Sequence, residues 1–313
     1  MAVTVRTRGL ASVTRRAGGF FYRHRSVRLL ALLAPGVLWL AVIYLGSLGS
    51  LAVYSFWRLE EFTGLVVREF GLTTYGELFS AANLDIIART TAMAASVTLV
   101  CALLALPLAY YMARYASPTM KTILYLGVLM PLWSSYLVRA LAWRQILAGE
   151  GILLWALDKV GLDGAARWML GMPIVGGPSL VQSYIGMLVV FVYLWLPFMI
   201  LPVQAALERV PDSLLEASAD LGARPWLTLR RVLLPLALPG LVAGSIFTFS
   251  LTLGDFIIPT FFGNSAFFIG LQVYVQQGTA GNLPLAAAFT MVPMVIMTIY
   301  LLIARRLGAF EAL

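Results

Sequence analysis

Along the 313 residues, apolar runs long enough to cross a bilayer alternate with short segments that gather the charge. A helix rises 1.5 Å per residue, so about 20 apolar residues cover a hydrocarbon core of about 30 Å. Six runs meet that length: 29–56, 90–113, 122–147, 181–207, 240–262 and 285–304. Each is too long and continuous for the alternating strands of about ten residues that build an outer-membrane barrel, so the pattern predicts helices. The expected fold is all-α and integral to a membrane, with a tail at 1–28, a six-helix domain at 29–306 and a stub at 307–313. Pro107, Pro131, Pro197, Pro202 and Pro293 fall inside the runs. They predict kinks whose freed carbonyls neighbouring groups satisfy.

Composition agrees: 61% of residues are hydrophobic and 12% charged. The net charge of +8 could suggest a nucleic-acid partner, but its distribution argues for topology instead. Arg6, Arg8, Arg15, Arg16, Arg23, Arg25 and Arg28 precede the first run with no acid among them. Segment 57–86 carries Glu60, Glu61, Glu69, Glu77 and Asp85 against Arg58 and Arg68. The positive-inside tendency then predicts a cytoplasmic N-terminus, and six spans return Arg305 and Arg306 to the same side. A cleaved signal peptide is not expected, because the first apolar run is about twice the usual length and lacks a clear small-residue cleavage site.

One cysteine, Cys101, and one histidine, His24, exclude disulfides, thiolate zinc sites and histidine-based catalysis. The two lysines, Lys121 after Met120 and Lys159 before Val160, fit no phosphate-binding P-loop. No cofactor is expected in this chain, and work driven by ATP would need another chain to hydrolyse it.

The segment 208–239 is the one predicted inside loop long enough to form structure. Ser213 and Glu216 have capping-box spacing, which predicts a helix start. Leu214, Leu215, Ala217, Ser218 and Leu221 make a small face, while Glu216 and Asp220 project together one turn apart. Gly222 predicts a left-handed stop, and Pro225 the first position of a second short helix that breaks at Pro235 and Pro239. Two acids at i and i+4 repel each other, so their pairing fits a surface for another protein. The alternative is a solvated loop neutralised by Arg209, Arg224, Arg230 and Arg231. Segment 151–162 predicts a short helix with Ile152, Leu153, Trp155, Ala156 and Val160 on one face, lying at the interface or covering a pore.

These residues resemble the membrane subunits of binding-protein-dependent ABC importers, marked by a Glu-Ala-Ala loop, three residues, a glycine, and a later Leu-Pro. Glu216, Ala217, Gly222, Leu234 and Pro235 stand at the matching positions, with Ser218 where alanine is usual. The resemblance implies a type I permease fold, and that Glu216, Ala217, Ser218, Asp220, Gly222 and Arg224 couple to a cytoplasmic ATPase dimer holding ATP and magnesium. It also implies a second permease subunit, an extracytoplasmic solute-binding protein and a place among lipids of the bacterial cytoplasmic membrane. Segments 131–147, 193–202 and 253–263 resemble the spermidine/putrescine-type permeases, which implies a polyamine cargo or another small polar solute.

Asp255 stands fifteen residues beyond Gly240, about 22 Å along the fifth run. An ionised carboxylate there costs on the order of 3 kcal/mol unless it meets water, protein or a counter-ion. The family resemblance implies that it lines the pathway, where it could attract an ammonium group; the alternative is a structural pair with Arg139. Arg139 and Arg144 would repel a polycation, or anchor an interface beside Trp143. Trp133, Tyr136, Tyr193, Trp195 and Phe256 could offer cation–π faces, against which stands a core or belt role. A self-contained channel or ion-coupled transporter is the alternative from another class. An intramembrane enzyme is further off, since Asp255 has no partner acid, histidine or metal cluster.

Overall fold

A computed structural model describes residues 25–60, 62–173, 176–264 and 266–306. The basic tail through His24, Glu61 and the stub at 307–313 lie outside them. The chain separates into two compact units, one ending at Tyr54 and the other beginning at Ser55. The first unit is α1 (Arg25–Leu40) and α2 (Gly46–Tyr54), joined through a widened helical turn at Ala41–Leu45. Its span Leu32–Tyr54 is apolar all round and 0% buried, a surface suited to lipid.

The second unit opens with a small antiparallel ribbon, β1 (Arg58–Leu59) on β2 (Val66–Val67), and the short α3 (Thr73–Leu78). Then follow α4 (Ala81–Arg114), α5 (Pro118–Leu129), α6 (Tyr136–Ile146), α7 (Ile152–Lys159) and α8 (Asp163–Leu170). The central α9 (Tyr184–Glu208) leads to α10 (Asp212–Asp220), α11 (Pro225–Thr228) and α12 (Leu234–Leu253). The unit ends with α13 (Ile257–Phe261), α14 (Ile269–Gly278) and α15 (Leu283–Arg306). Among the described residues five helices are long and apolar enough to cross a membrane, and six if the bent pair α5–α6 is one span. The predicted all-α membrane architecture is therefore the one adopted.

Helix α9 is the hub, with 56% of its apolar window buried, packed chiefly against α12 and α4. On α4 the stripe Val97, Cys101, Ala105 and Ala109 is fully buried, and its small side chains let the helix axes approach closely. On α12 the same device is glycine. A Cβ at Gly240 would sit 2.4 Å from the Pro202 carbonyl oxygen, and one at Gly244 would sit 2.7 Å from the Met199 Sδ. A second core joins Leu78, Ile86, Phe249, Leu253, Leu285 and Phe289, tying α3, α4, α12 and α15 together.

Several expectations need correction. The run 122–147 is two helices at 99°, because Ser134 (ψ 152°) and Ser135 (ψ 136°) are extended after Pro131. The carbonyl of Pro131 is satisfied by the Ser134 hydroxyl at 2.8 Å, which makes the break tolerable in lipid. The fifth run does not start at residue 240, nor does a separate helix break at Pro235 and Pro239. Pro225–Leu253 is one 29-residue helix, with a widened turn at Leu229–Leu233 just before Pro235 that absorbs its missing donor. The helix stops at Gly254, so Asp255 lies in a non-helical break before α13 rather than inside a span. Helix α4 begins nine residues before the predicted 90, which takes Asp85 into a helix.

In segment 151–162 the helix forms, but Ile152, Trp155 and Val160 are exposed while Leu153 and Leu154 meet the core. Helix α8 was not foreseen.

Candidate functional site

Two regions gather the residues singled out in the sequence. At the first, the break after α12 turns Asp255 back toward the α6 helix. Its Oδ1 accepts from the Ile258 N–H at 2.9 Å, stabilising the start of α13, and its Oδ2 accepts from the Tyr136 hydroxyl. Tyr136 is the first residue after the Ser134–Ser135 bend, so the bend presents it to Asp255. The two residues line a cavity of about 370 Å³ together with Trp195, Ser250, Gly254 and Phe256. Tyr136 stacks on Trp195 at 5.7 Å and 15°, and Phe256 stacks on Tyr274 at 5.2 Å.

The remaining predicted residues stand outside this lining. Arg139 forms no ion pair with Asp255; Tyr136 is interposed, with the Arg139 guanidinium carbon 5.8 Å from its ring centroid. Among the described residues the Nε and Nη1 of Arg139, both buried, have no hydrogen-bond partner. Arg144 lies over Phe261 at 5.9 Å. Trp133 is exposed and Tyr193 packs on Trp143 at 5.1 Å, so neither joins the cavity. Ser250 and Gly254 carried no sequence signal, because a small residue in an apolar helix marks a cavity only once its neighbours are known.

The second region is the 208–239 segment. Helix α10 begins at Asp212 after Pro211 in an extended conformation, and no side-chain cap forms, so the Ser213–Glu216 capping box is not made. Asp212 instead bonds the Arg114 Nη1 at 2.6 Å, and the Arg114 Nη2 donates to the carbonyls of Leu207 and Val210 at 2.8 and 2.5 Å. Lys121 and Glu208 pair at 2.5 Å, and Gln204 donates to the same carboxylate at 3.0 Å. The ends of α4 and α9 and the starts of α5 and α10 are thereby tied into one knot.

Helix α10 ends at Asp220, and the chain turns at Gly222, whose φ of +73° only glycine adopts at no steric cost. The Ala223 N–H reaches the Ser218 carbonyl at 3.1 Å and the Gly222 N–H the Ala219 carbonyl at 2.8 Å, a Schellman closure. Ser218 is buried, and its hydroxyl bonds that of Thr228 across the turn at 2.9 Å. Arg224 precedes Pro225, and its carbonyl accepts from the N–H groups of Leu227 and Thr228. Glu216, Ala217 and Asp220 are exposed. Among the described residues neither acid has an ion-pair partner within 4.0 Å, so both carboxylates stand free on the surface of this loop. Beside them Leu221 and Trp226 are 88% and 67% exposed.

The comparisons with known proteins agree with this architecture. The chain is 51% identical over 298 residues to an inner membrane ABC transporter permease protein, YdcU, of Escherichia coli K12, covering 95% of each chain. It is 28% identical over 275 residues to the spermidine/putrescine transport system permease protein PotB of Haemophilus influenzae, covering 88% of this chain and 87% of that one. A bacterial ABC transporter chain involved in alginate import shares the fold, with a TM-score of 0.69, 18% identity and coverage of 93% and 99%. The apolar helices and these inner-membrane relatives make the chain a multi-pass inner-membrane protein. Residues 105–309 match the family of binding-protein-dependent transport system inner membrane components, and the chain belongs to that family of ABC importer permeases.

Proposed function

We propose that this permease passes a small aliphatic amine of the polyamine class, and that Asp255 is its charge-recognising group. The observation that carries this is one carboxylate in a cavity walled by Tyr136, Trp195 and Phe256. Aromatic faces stabilise alkylammonium groups and a carboxylate complements their charge. The PotB relatives point to the same class. Arg139 does not line the cavity, so it does not meet the cation head-on.

In this proposal the arginine-rich termini are cytoplasmic, and Glu216, Asp220 and the exposed Leu221 form a surface for a separate ATPase dimer that holds ATP and magnesium. A second permease subunit completes the pathway, and a solute-binding protein delivers cargo on the opposite side.

The test is ATP hydrolysis by the reconstituted assembly, stimulated by binding protein loaded with putrescine, spermidine or unrelated solutes. Amine-specific stimulation is expected, and stimulation by an anionic solute alone would remove the cargo assignment. Asp255→Asn should lower amine uptake about tenfold or more, since a hydrogen bond to a charged group contributes about 1.5–3 kcal/mol. Uptake without any ATPase would instead favour a self-contained transporter.

A further inference from the structure

A second cavity, of about 330 Å³, lies between α9 and α12 and is lined by Pro202, Ala206, Arg209, Pro239 and Ala243 among others. Its place on the helices relates it to the Asp255 cavity. On α12 and its C-cap, positions 239, 243, 250 and 254 are separated by four, seven and four residues, so they form one stripe along a 3.6-residue helix. On α9 and its C-cap, Trp195, Pro202, Ala206 and Arg209 form the facing stripe. The two cavities are therefore successive openings in one groove. From Leu236 to Gly254 that groove rises about 27 Å, close to the thickness of a hydrocarbon core.

The groove is interrupted between the openings. Phe247 falls on its stripe between Ala243 and Ser250, and Phe198 falls on the other between Trp195 and Pro202. Their ring centroids are 6.3 Å apart and tilted by 33°. Phe198 also meets Trp195 edge-on at 5.9 Å, so the plug continues the aromatic wall of the Asp255 cavity. Phe247 is 51% exposed, a large ring set on the groove rather than locked in the core. An apolar constriction of this kind stops a charged solute by denying it hydration.

We propose that the α9–α12 groove is this chain's half of the solute path, and that the Phe198–Phe247 pair is its gate. Cargo held at Asp255 enters the Arg209 cavity when the rings separate. The inference rests on the reading of the Asp255 cavity as a solute site.

Water-exposed cysteines test it, because only a hydrated thiol forms the thiolate that reacts with charged thiol reagents. With Cys101→Ala removing the native thiol, Ser250→Cys and Ala243→Cys are introduced singly into the assembled importer in proteoliposomes. The thiol at 250 is expected to react only from the Asp255 side and the thiol at 243 only from the Arg209 side. Adding Phe247→Ala should raise reaction from the opposite side about two- to tenfold, the range an aromatic pair contributes, while Phe247→Leu should raise it less. If ATP-driven amine uptake persists but both thiols resist charged reagents and accept only lipid-soluble ones, the groove faces lipid and the inference is overturned. One-sided reaction that Phe247→Ala leaves unchanged overturns the gate. Loss of amine uptake with the side-specific pattern intact would instead sink the cargo assignment and leave the path standing.

Discussion

At the scale of single residues, Arg114 shows how unequal two partners in one ion pair are. Its side chain is 12% exposed while that of Asp212 is 80% exposed, so water screens the carboxylate but hardly reaches the guanidinium. The pair itself then contributes up to about 1 kcal/mol. The bonds to the Leu207 and Val210 carbonyls contribute more, because a buried charged donor reaches two backbone acceptors where α9 ends. Arg114→Gln is expected to destabilise the purified chain by about 2–3 kcal/mol and Asp212→Asn by less than about 1 kcal/mol, as measured by thermal unfolding in detergent. Equal losses would mean that the ion pair, not the carbonyl contacts, holds the knot. A sequence reading could not find Arg114, since its partners lie roughly a hundred positions away.

Ser218 is the residue most changed by the structure. From sequence it is a small-for-small departure from alanine, but its buried hydroxyl bonds Thr228 and closes the α10–α11 turn. Ser218→Ala leaves Thr228 with an unmatched hydroxyl, whereas Ser218→Ala with Thr228→Val removes both partners. The double variant should therefore be no less stable than the single, the sign expected when a polar pair is replaced as a unit.

At the scale of elements, the glycines of α12 decide the packing. Gly240→Leu must push α12 away from the Pro202 carbonyl, which overpacks the contact at the centre of the fold. A loss of at least about 1–3 kcal/mol, seen as a lowered unfolding temperature or failure to recover folded protein, is expected. A fully stable Gly240→Leu variant would mean that α9 and α12 are not in this close contact. The helices themselves were legible because length and hydropathy in lipid leave the backbone only one way to satisfy its own polar groups. The break points were less so. Pro239 sits inside a continuous helix, while the chain bends by 99° at two serines after Pro131. Proline content alone does not distinguish these outcomes, because the local bonds freed by each ring are satisfied differently.

At the scale of the whole molecule, the two regions of interest lie at opposite ends of α12, with α11 and the widened turn leading directly from the α10–Gly222 hinge into the helix that ends beside Asp255. In the proposed coupling, a movement begun at the Gly222 turn would have a continuous helix through which to act. On the proposed docking of an ATPase, Glu216→Lys should abolish its co-purification while leaving the permease folded, because an exposed charge with no ion-pair partner among the described residues adds little to the fold. Retained ATPase binding in that variant would place the docking surface elsewhere.

By itself the sequence determined the membrane class, the apolar runs that supply its long helices, the Gly222 turn and the family pattern of the 216–222 segment. Each depends on neighbours within a few residues or on an apolar run compared with bilayer thickness. Tertiary structure alone decided that Tyr136, Trp195 and Asp255 share a cavity while Trp133 and Tyr193 do not, and that Tyr136 stands between Asp255 and Arg139. It also decided that Arg114 holds the root of α10. These are meetings of side chains from different helices, set by the 99° bend, the break at Gly254 and the close approach that glycine permits, none of which a one-dimensional pattern records.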